Sequence, residues 1–414
     1  MSKNVLVIGA GASGMMAAGF AAKSGASVIL LERNDKVGRK LMITGKGRCN
    51  VTNACTMLNE LIENVPVNGR FLYTAFSRFM PSDTMDFFSS LGVDLKIERG
   101  NRVFPASDKS ADIVDALNSF VKKNKVNRVK ERATSLIIEN GEVKGVCCES
   151  GKEYFADSVI VATGGMSYPL TGSTGDGYTL AKQAGHTVNE LKPSLVPLEC
   201  HEGFCSLLMG LTLKNISVRV YDNEKFRDIY TDFGELLFTH FGVSGPVVLS
   251  ASSHIRDMKK GRYELHIDLK PALSFEQLDK RLLREFKENP SKAIINIMNS
   301  LLPKSMVPVF VKRTGIHPAV KANQITKEMR FDIINLLKDF SLTITDFRPI
   351  DEAVITSGGV EIKEINPKTM ESKLCKNLYF CGEVIDVDAY TGGFNLQIAF
   401  STGYLAGLNA GIEV

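Results

Sequence analysis

The chain has 414 residues, 44% of them hydrophobic and 23% charged, with a formal net charge of +4. This is an ordinary composition for a soluble globular protein of two or three domains, and the small net charge argues against a large nucleic-acid footprint while leaving room for a local patch. The 8 cysteines include no C-x-x-C pair, which leaves zinc and thioredoxin-like readings with little support, and the absence of tryptophan excludes a Trp-based stacking site.

Residues 3–32 read KNVLVIGAGASGMMAAGFAAKSGASVILLE. An apolar run enters Gly9-x-Gly11-x-x-Gly14, a small-residue helical stretch follows, and a second apolar run ends on Glu32. This is the layout of a βαβ dinucleotide site. Gly9 allows the tight turn, Gly11 the approach of a pyrophosphate, and Gly14 close packing of helix on strand, with the helix N-terminus facing the phosphates. Glu32 is placed to accept from both ribose hydroxyls and would repel a 2′-phosphate, so NADP is disfavoured here. A secretory h-region is a poor alternative, because three glycines interrupt the run and a strand pattern follows at once. Reduced thiols, a cytoplasmic location, no membrane span and no metal site are therefore expected.

Next comes the loop GRKLMITGKGRCNVTN, residues 38–53. Its cations Arg39, Lys40, Lys46 and Arg48 are placed to neutralise a pyrophosphate, and Gly45 and Gly47 let backbone lie close to a ligand. Cys49 reads as a small packing residue. Helices are expected over 82–92, capped by Ser82, and over 108–124. Residues 126–162 read as a meander with turns at Asn140-Gly141 and Ser150-Gly151. A buried strand then leads into TGGMSYPLTGSTGDGY, residues 163–178, a glycine-rich loop expected to line a cofactor through Gly164 or to admit substrate.

From residue 191 short strand-like runs suggest a small β-barrel or sandwich to 273. Residues 274–345 then read as helical, opened by a Ser274-x-x-Gln277 capping box. Their many lysines and arginines read as solvated helix faces. LFTHFGVSGP, residues 237–246, carries His240 before a turn. The tail returns to the opening pattern: NLYFCGE, then VIDVDAYTGGFNLQIAF with a helix from about Asn395. The organisation is a split domain, 1–190 with 346–414, carrying an insertion. A bipartite site made by both chain ends suits FAD, whose flavin half must reach a second place. Asp386 would bind ribityl hydroxyls, and the helix N-terminus near Asn395 would face the flavin edge where negative charge accumulates on reduction.

GAGASG, GKGRCNVTN, ATGGMSYPLTGSTGDGY, LFTHFGVSGP, VITSGGVEIKEINPKTMESK and YFCGEVIDVDAYTGGFNLQIAFSTG occur in the order seen in one bacterial FAD-dependent oxidoreductase family, which the chain resembles almost end to end. The resemblance implies an α/β fold: a split Rossmann-like, glutathione-reductase-type FAD domain with an inserted β-barrel and helical subdomain. Members have been assigned to reduction of 3-dehydro-4,6-diene bile acids and to oxidation of aminoacetone or amino acids by oxygen. Carried over by motif, the FAD contacts are Ser13, Glu32, Arg39, Lys40, Gly45, Asp386, Asn395, Leu396, Gln397 and Ile398, with one near Ala133, where a backbone strand would meet adenine.

The expectation that follows is an FAD-dependent reductase of conjugated enones, a 3-oxo-Δ4 or Δ4,6 steroid or bile acid, with NAD(P)H a candidate electron donor. Tyr390, before the Gly392-Gly393 turn, is the expected proton donor, with Tyr168 and His240 as alternatives. The rivals are an amine oxidase using oxygen and a flavoprotein that modifies RNA; the near-balanced charge disfavours the second, so no nucleic-acid partner is expected. Oligomeric state is not legible.

Overall fold

A computed structural model describes residues 2–412. The chain divides into two compact units, one made of residues up to Ser194 with those from Pro349 onward, the other of Leu195–Arg348.

The first unit is built on a five-stranded parallel sheet, in the order Leu378–Phe380, Ser158–Val161, Asn4–Ile8, Ser27–Glu32, Asn127–Lys130. Its inner strands are near-continuous apolar runs, as burial on both faces requires. The helix Ala12–Lys23 follows the first strand and is crossed by the last helix, Phe394–Gly411. Small residues make that crossing possible: a Cβ on Gly403, Gly407 or Gly411 would fall 2.4, 2.3 or 2.9 Å from the carbonyl oxygens of Ser13, Ala17 and Ala21. Both helices are buried over most of their surface, which is why neither shows an amphipathic period.

Two local expectations change. Of the meander over 126–162, only Ala133–Glu139, Glu142–Cys148 and Glu153–Phe155 form an antiparallel sheet. The runs at either end join the parallel sheet, pairing with Ser27–Glu32 and Asn4–Ile8. The helix expected from Ser82 is Pro81–Ser90, with Met80 at the cap position and the Asp83 carboxylate accepting from the Met80 N–H at 2.7 Å. Proline in the first turn and the returning acid set that start.

The second unit is a closed antiparallel barrel of Leu198–Cys200, Gly242–Ser244, Arg227–Phe238, Thr212–Asp222, Tyr263–Asp268 and Phe340–Phe347, carrying helices. Leu265, Ile267, Leu342 and Ile344 alternate inward and are fully buried. The helix Phe275–Glu288 starts on the Ser274/Gln277 capping box, and Lys327–Lys338 on a Thr326 cap. The expected helical stretch 274–345 is thus too long, because Phe340–Phe347 closes the barrel. The outer boundaries also move from 190/191 and 345/346 to Ser194/Leu195 and Arg348/Pro349. Lys192–Ser194 pairs with Ile355–Ser357 inside the first unit, which fixes the entry point. Among the described residues no helix is long and apolar enough to cross a membrane.

Candidate cofactor site

The three glycines of the opening motif differ in what surrounds them. Gly9 has φ +100, and a Cβ there would sit 2.6 Å from the Ala162 carbonyl oxygen. A Cβ on Gly14 would lie 1.8 Å from the Gly9 oxygen, so only glycine lets the helix sit this close to the strand. On Gly11 it would meet no atom of the described residues within 4 Å. Gly11 is the helix N-cap and has no side-chain cap, so its surroundings are open where the first-turn N–H groups start. Glu32 is buried beside this turn. Its carboxylate accepts from the Ala10 N–H at 2.8 Å and from the Asn34 N–H and Nδ2, both at 2.8 Å. These three bonds leave one of about four acceptor positions for a ribose hydroxyl.

Beyond Glu32 the cations have separate partners. Arg39 donates to Asn34 Oδ1 at 2.8 Å, which ties it to the Glu32 cluster. Lys40 donates to Ser167 Oγ at 2.6 Å and to both Glu383 oxygens at 2.7 and 3.0 Å. Glu383 also accepts from the Thr356 N–H at 2.9 Å, while Thr356 Oγ1 accepts from the Met166 N–H at 2.8 Å. A Cβ on Gly165 would lie 2.4 Å from Thr356 Oγ1, so the glycine-rich loop after Gly164 is clamped against this network. Arg48 is spent elsewhere: its guanidinium binds Glu98 and Asp108 and lies 4.2 Å from the centre of the Phe104 ring. The four cations of residues 39–48 are therefore not one phosphate-neutralising set. Lys46 and Gly45 are exposed, both with positive φ. Ala133 is buried and starts a strand next to Arg132, which forms a bidentate pair with Asp176 at 2.9 Å.

At the C-terminal side, Asp386 is buried and accepts from Asn189 Nδ2 at 2.8 Å and Asn68 Nδ2 at 3.2 Å. Burial raises its carboxyl above the usual range, opposed by the Asn189 and Asn68 hydrogen bonds and reinforced by the nearby Glu361. Asn395 closes the turn before the last helix, accepting from the Ala389 N–H at 2.9 Å and donating to the Ala389 oxygen at 2.8 Å. Gln397 is fully buried, its amide bonded to Thr52, Thr84, Ser401 and the Phe79 carbonyl. Ile398 is buried too, and Leu396 packs on the core. The side chains of Asn395 and Gln397 are thus committed to the protein, which leaves backbone N–H groups of the helix start for a ligand. Gly393 could not be another residue, since a Cβ would meet the Thr52 carbonyl carbon at 2.3 Å. Ser13 does not sit alone either: Gly382, preceding Glu383, would place a Cβ 2.4 Å from its Oγ.

These features fit an FAD molecule. The opening at Gly11 suits pyrophosphate, and Glu32 suits a ribose. Two buried polar atoms, Asn50 Oδ1 in the loop 38–53 and Thr163 Oγ1 at the start of the glycine-rich loop, have no hydrogen-bond partner among the described residues, as expected of groups built to meet a ligand. Of the expected proton donors, Tyr390 and Tyr168 belong to this unit and are half-buried. Asn395 Nδ2 reaches the Tyr390 carbonyl at 3.3 Å, and the Asn64 carbonyl accepts from the Tyr390 N–H at 3.0 Å. Tyr168 holds a left-handed backbone, φ +52, and burial raises its phenol, helped by Glu352. His240 belongs to the other unit, is exposed, and meets Phe241 edge-on at 4.9 Å. Sequence reasoning missed Glu383 and Thr356. The Gly382-Glu383 pair is visible in the sequence as an acid ending a strand, but its pairing with Lys40 is not.

A family model described as the HI0933-like protein Rossmann domain matches residues 3–409. A 3-dehydro-bile acid delta(4,6)-reductase of Clostridium scindens is 32% identical, over 97% of this chain and 97% of that protein. A ribosomal RNA dihydrouridine synthase of Haemophilus influenzae is 30% identical, over 99% and 98%. Among solved structures, the open conformation of a flavocytochrome c3 fumarate reductase shares the fold, with a TM-score of 0.52 at 18% identity over 99% of this chain and 78% of that one.

Proposed function

The chain belongs to the HI0933-like family of flavin-dependent oxidoreductases, and from that premise we propose that it reduces a carbon–carbon double bond conjugated to a carbonyl group. The observation that carries this is the pair of full-length relatives, whose names describe one chemistry. A 3-oxo-4,6-diene and the C5=C6 bond of a uracil ring are both alkenes polarised by a carbonyl, and saturating either takes a hydride at an electrophilic carbon, β in the uracil and β or δ in the dienone, and a proton at the carbon beside it, α in the uracil. Bound FAD supplies the hydride, with NADH or NADPH as the proposed source of its electrons.

The residues of this chain hold and protonate. Glu32 and the turn at Gly11 keep the adenine half, and Lys40, Glu383 and Thr356 fix the glycine-rich loop. Asn395 holds the 389–390 turn so that the Tyr390 phenol is presented from a fixed backbone, and Tyr390 is the proposed donor of the α-proton. Tyr168, kept protonated by burial, is the alternative; His240 is the third candidate.

Charge favours the uracil ring of an RNA as substrate. Residues 280–330 hold 11 Lys and Arg against 3 Asp and Glu, a density that suits a polyanion. The steroid enone is the second reading, supported by the bile-acid reductase relative. Anaerobically reduced enzyme mixed separately with ribosomal RNA, a 3-oxo-4,6-diene steroid and oxygen decides. Flavin reoxidation by RNA, with a two-hydrogen mass gain on uridine, is expected. Reoxidation by the steroid alone selects the second reading, and reoxidation only by oxygen overturns both.

A further inference from the structure

We propose that the exposed basic face of residues 280–330, in the inserted unit, is a docking surface for the phosphodiester backbone of RNA. This rests on the RNA reading above and names the surface that such a substrate would use. Of the 11 basic residues in the segment, eight are exposed, and none of these eight makes an ion pair among the described residues. In the barrel of the same unit Arg219, Arg262, Lys259 and Arg348 are paired with carboxylates, while Lys214 and Arg227 are exposed without an ion pair among the described residues. Acid in this unit also meets two partly buried helical cations, Arg330 with Asp279 and Lys338 with Asp268, but not the eight exposed ones.

The geometry is also ordered. In the helix Phe275–Glu288, Leu278, Leu282 and Phe286 are buried, while Lys280, Arg284 and Lys287 are exposed. At 100° per residue the three cations form a stripe opposite the apolar one, spaced about 6 and about 4.5 Å along the axis. Past the end of this helix, the bridge between Ala293 and Lys321 brings the backbones of Lys292 and Lys321 together, with the Ala322 N–H donating to the Lys292 carbonyl at 3.0 Å, and the two side chains leave the pairing on opposite faces. Lys280, Arg284 and Lys287 thus form one stripe, and Lys292 and Lys321 are exposed on the segment that follows the helix. Glu276 and Glu288 are exposed at the edges of this stripe, and it is the excess over residues 280–330 as a whole that attracts a polyanion and releases its counterions.

The test uses FAD-loaded enzyme and protein-free, in vitro transcribed ribosomal RNA. Binding is measured across a salt series for wild type, for K280Q/R284Q/K287Q, for K292Q/K321Q, and for K122Q/K123Q/K125Q, which removes three exposed lysines of the other unit. The first two variants are expected to weaken binding tenfold or more and to flatten the slope of log K on log salt by about 0.7–0.9 for each phosphate no longer neutralised. The third is expected to leave both unchanged, and reoxidation of the reduced flavin by free uridine is expected to be the same in all four. Equal weakening by the third variant, or no weakening by the first two, overturns the surface. If wild type forms dihydrouridine while the first two variants bind normally, the RNA reading stands and only the surface falls. If wild type neither binds RNA nor reduces it, both fall.

Discussion

The unit formed by the two chain ends holds 28 of the 35 glycines and balances 28 basic against 28 acidic residues; the inserted unit has 7 glycines and 22 basic against 18 acidic residues. The whole net charge of +4 thus lies in the insertion. One unit uses its sequence to bring backbone close to backbone and to a ligand, and the other to build an apolar barrel and a charged helical surface. A chain-wide average hides this, which is why near-neutral composition counted against a nucleic-acid partner when the local sequence does not.

The strongest way to break the comparison is to add carbon to the glycine-dense unit. Gly14→Val would force atoms into the Gly9 carbonyl and should cost about 3 kcal/mol or more, giving unfolded or flavin-free protein. Gly11→Ala should leave the apoprotein's melting temperature nearly unchanged, because the added methyl meets open space, yet should lower flavin content sharply. If both variants lose stability equally, Gly11 is a packing glycine and the pyrophosphate lies elsewhere.

How much of this was readable beforehand divides along the same line. Gly9, Gly11, Gly14 and Glu32 stand in one continuous stretch, so spacing alone marked them as candidates. The partnership of Lys40 with Glu383 was not readable, since 343 residues separate them and neither sits in a repeating pattern. Nor was the commitment of Gln397 to Thr52 and Thr84, which only tertiary folding brings to it. The crossing of the first and last helices hid its own signal, because helices buried nearly all round carry no apolar stripe. In the insertion, strand alternation announced a barrel, but the last strand was absorbed into the helical stretch before it because Phe340–Phe347 follows Lys327–Lys338 with one residue between.

A smaller effect separates the cations of the cofactor unit. Lys40→Met leaves Glu383 without its ion pair and frees the loop at Ser167, so flavin affinity should fall about tenfold, the size of one lost charged hydrogen bond. Arg48→Met removes a guanidinium that serves Glu98, Asp108 and Phe104, and should leave flavin affinity unchanged. Titration of apoprotein with FAD measures both; an equal loss in the two would restore the single phosphate set.

In the inserted unit the matching test is electrostatic. Asp222 receives two bonds from Arg262, at 3.0 and 2.9 Å, and this partner holds its carboxyl at about 2, below the ordinary 3.8. A depressed folded value means stabilisation that is complete above the unfolded value and is lost as pH falls from about 4 towards 2. Melting temperature should therefore drop over that window in wild type, and less steeply in Asp222→Asn. Parallel curves would show that the pair does not contribute.

The smallest expected effect concerns Cys49, the residue of the cofactor unit whose chemistry invites most suspicion. It is fully buried, with φ +59, and burial pushes its thiol up to about 12. At pH 7 only about one thiol in 10⁵ would then be ionised, so it is a poor nucleophile. Cys49→Ala keeps the same backbone demand and removes one sulfur, so it should cost about 1 kcal/mol and change turnover by less than about twofold. Native protein treated with iodoacetamide should label the partly exposed Cys147 before Cys49. Loss of turnover in Cys49→Ala with full flavin content would give the thiol a chemical role. The cofactor unit would then use a reactive side chain where its sequence otherwise points to close packing.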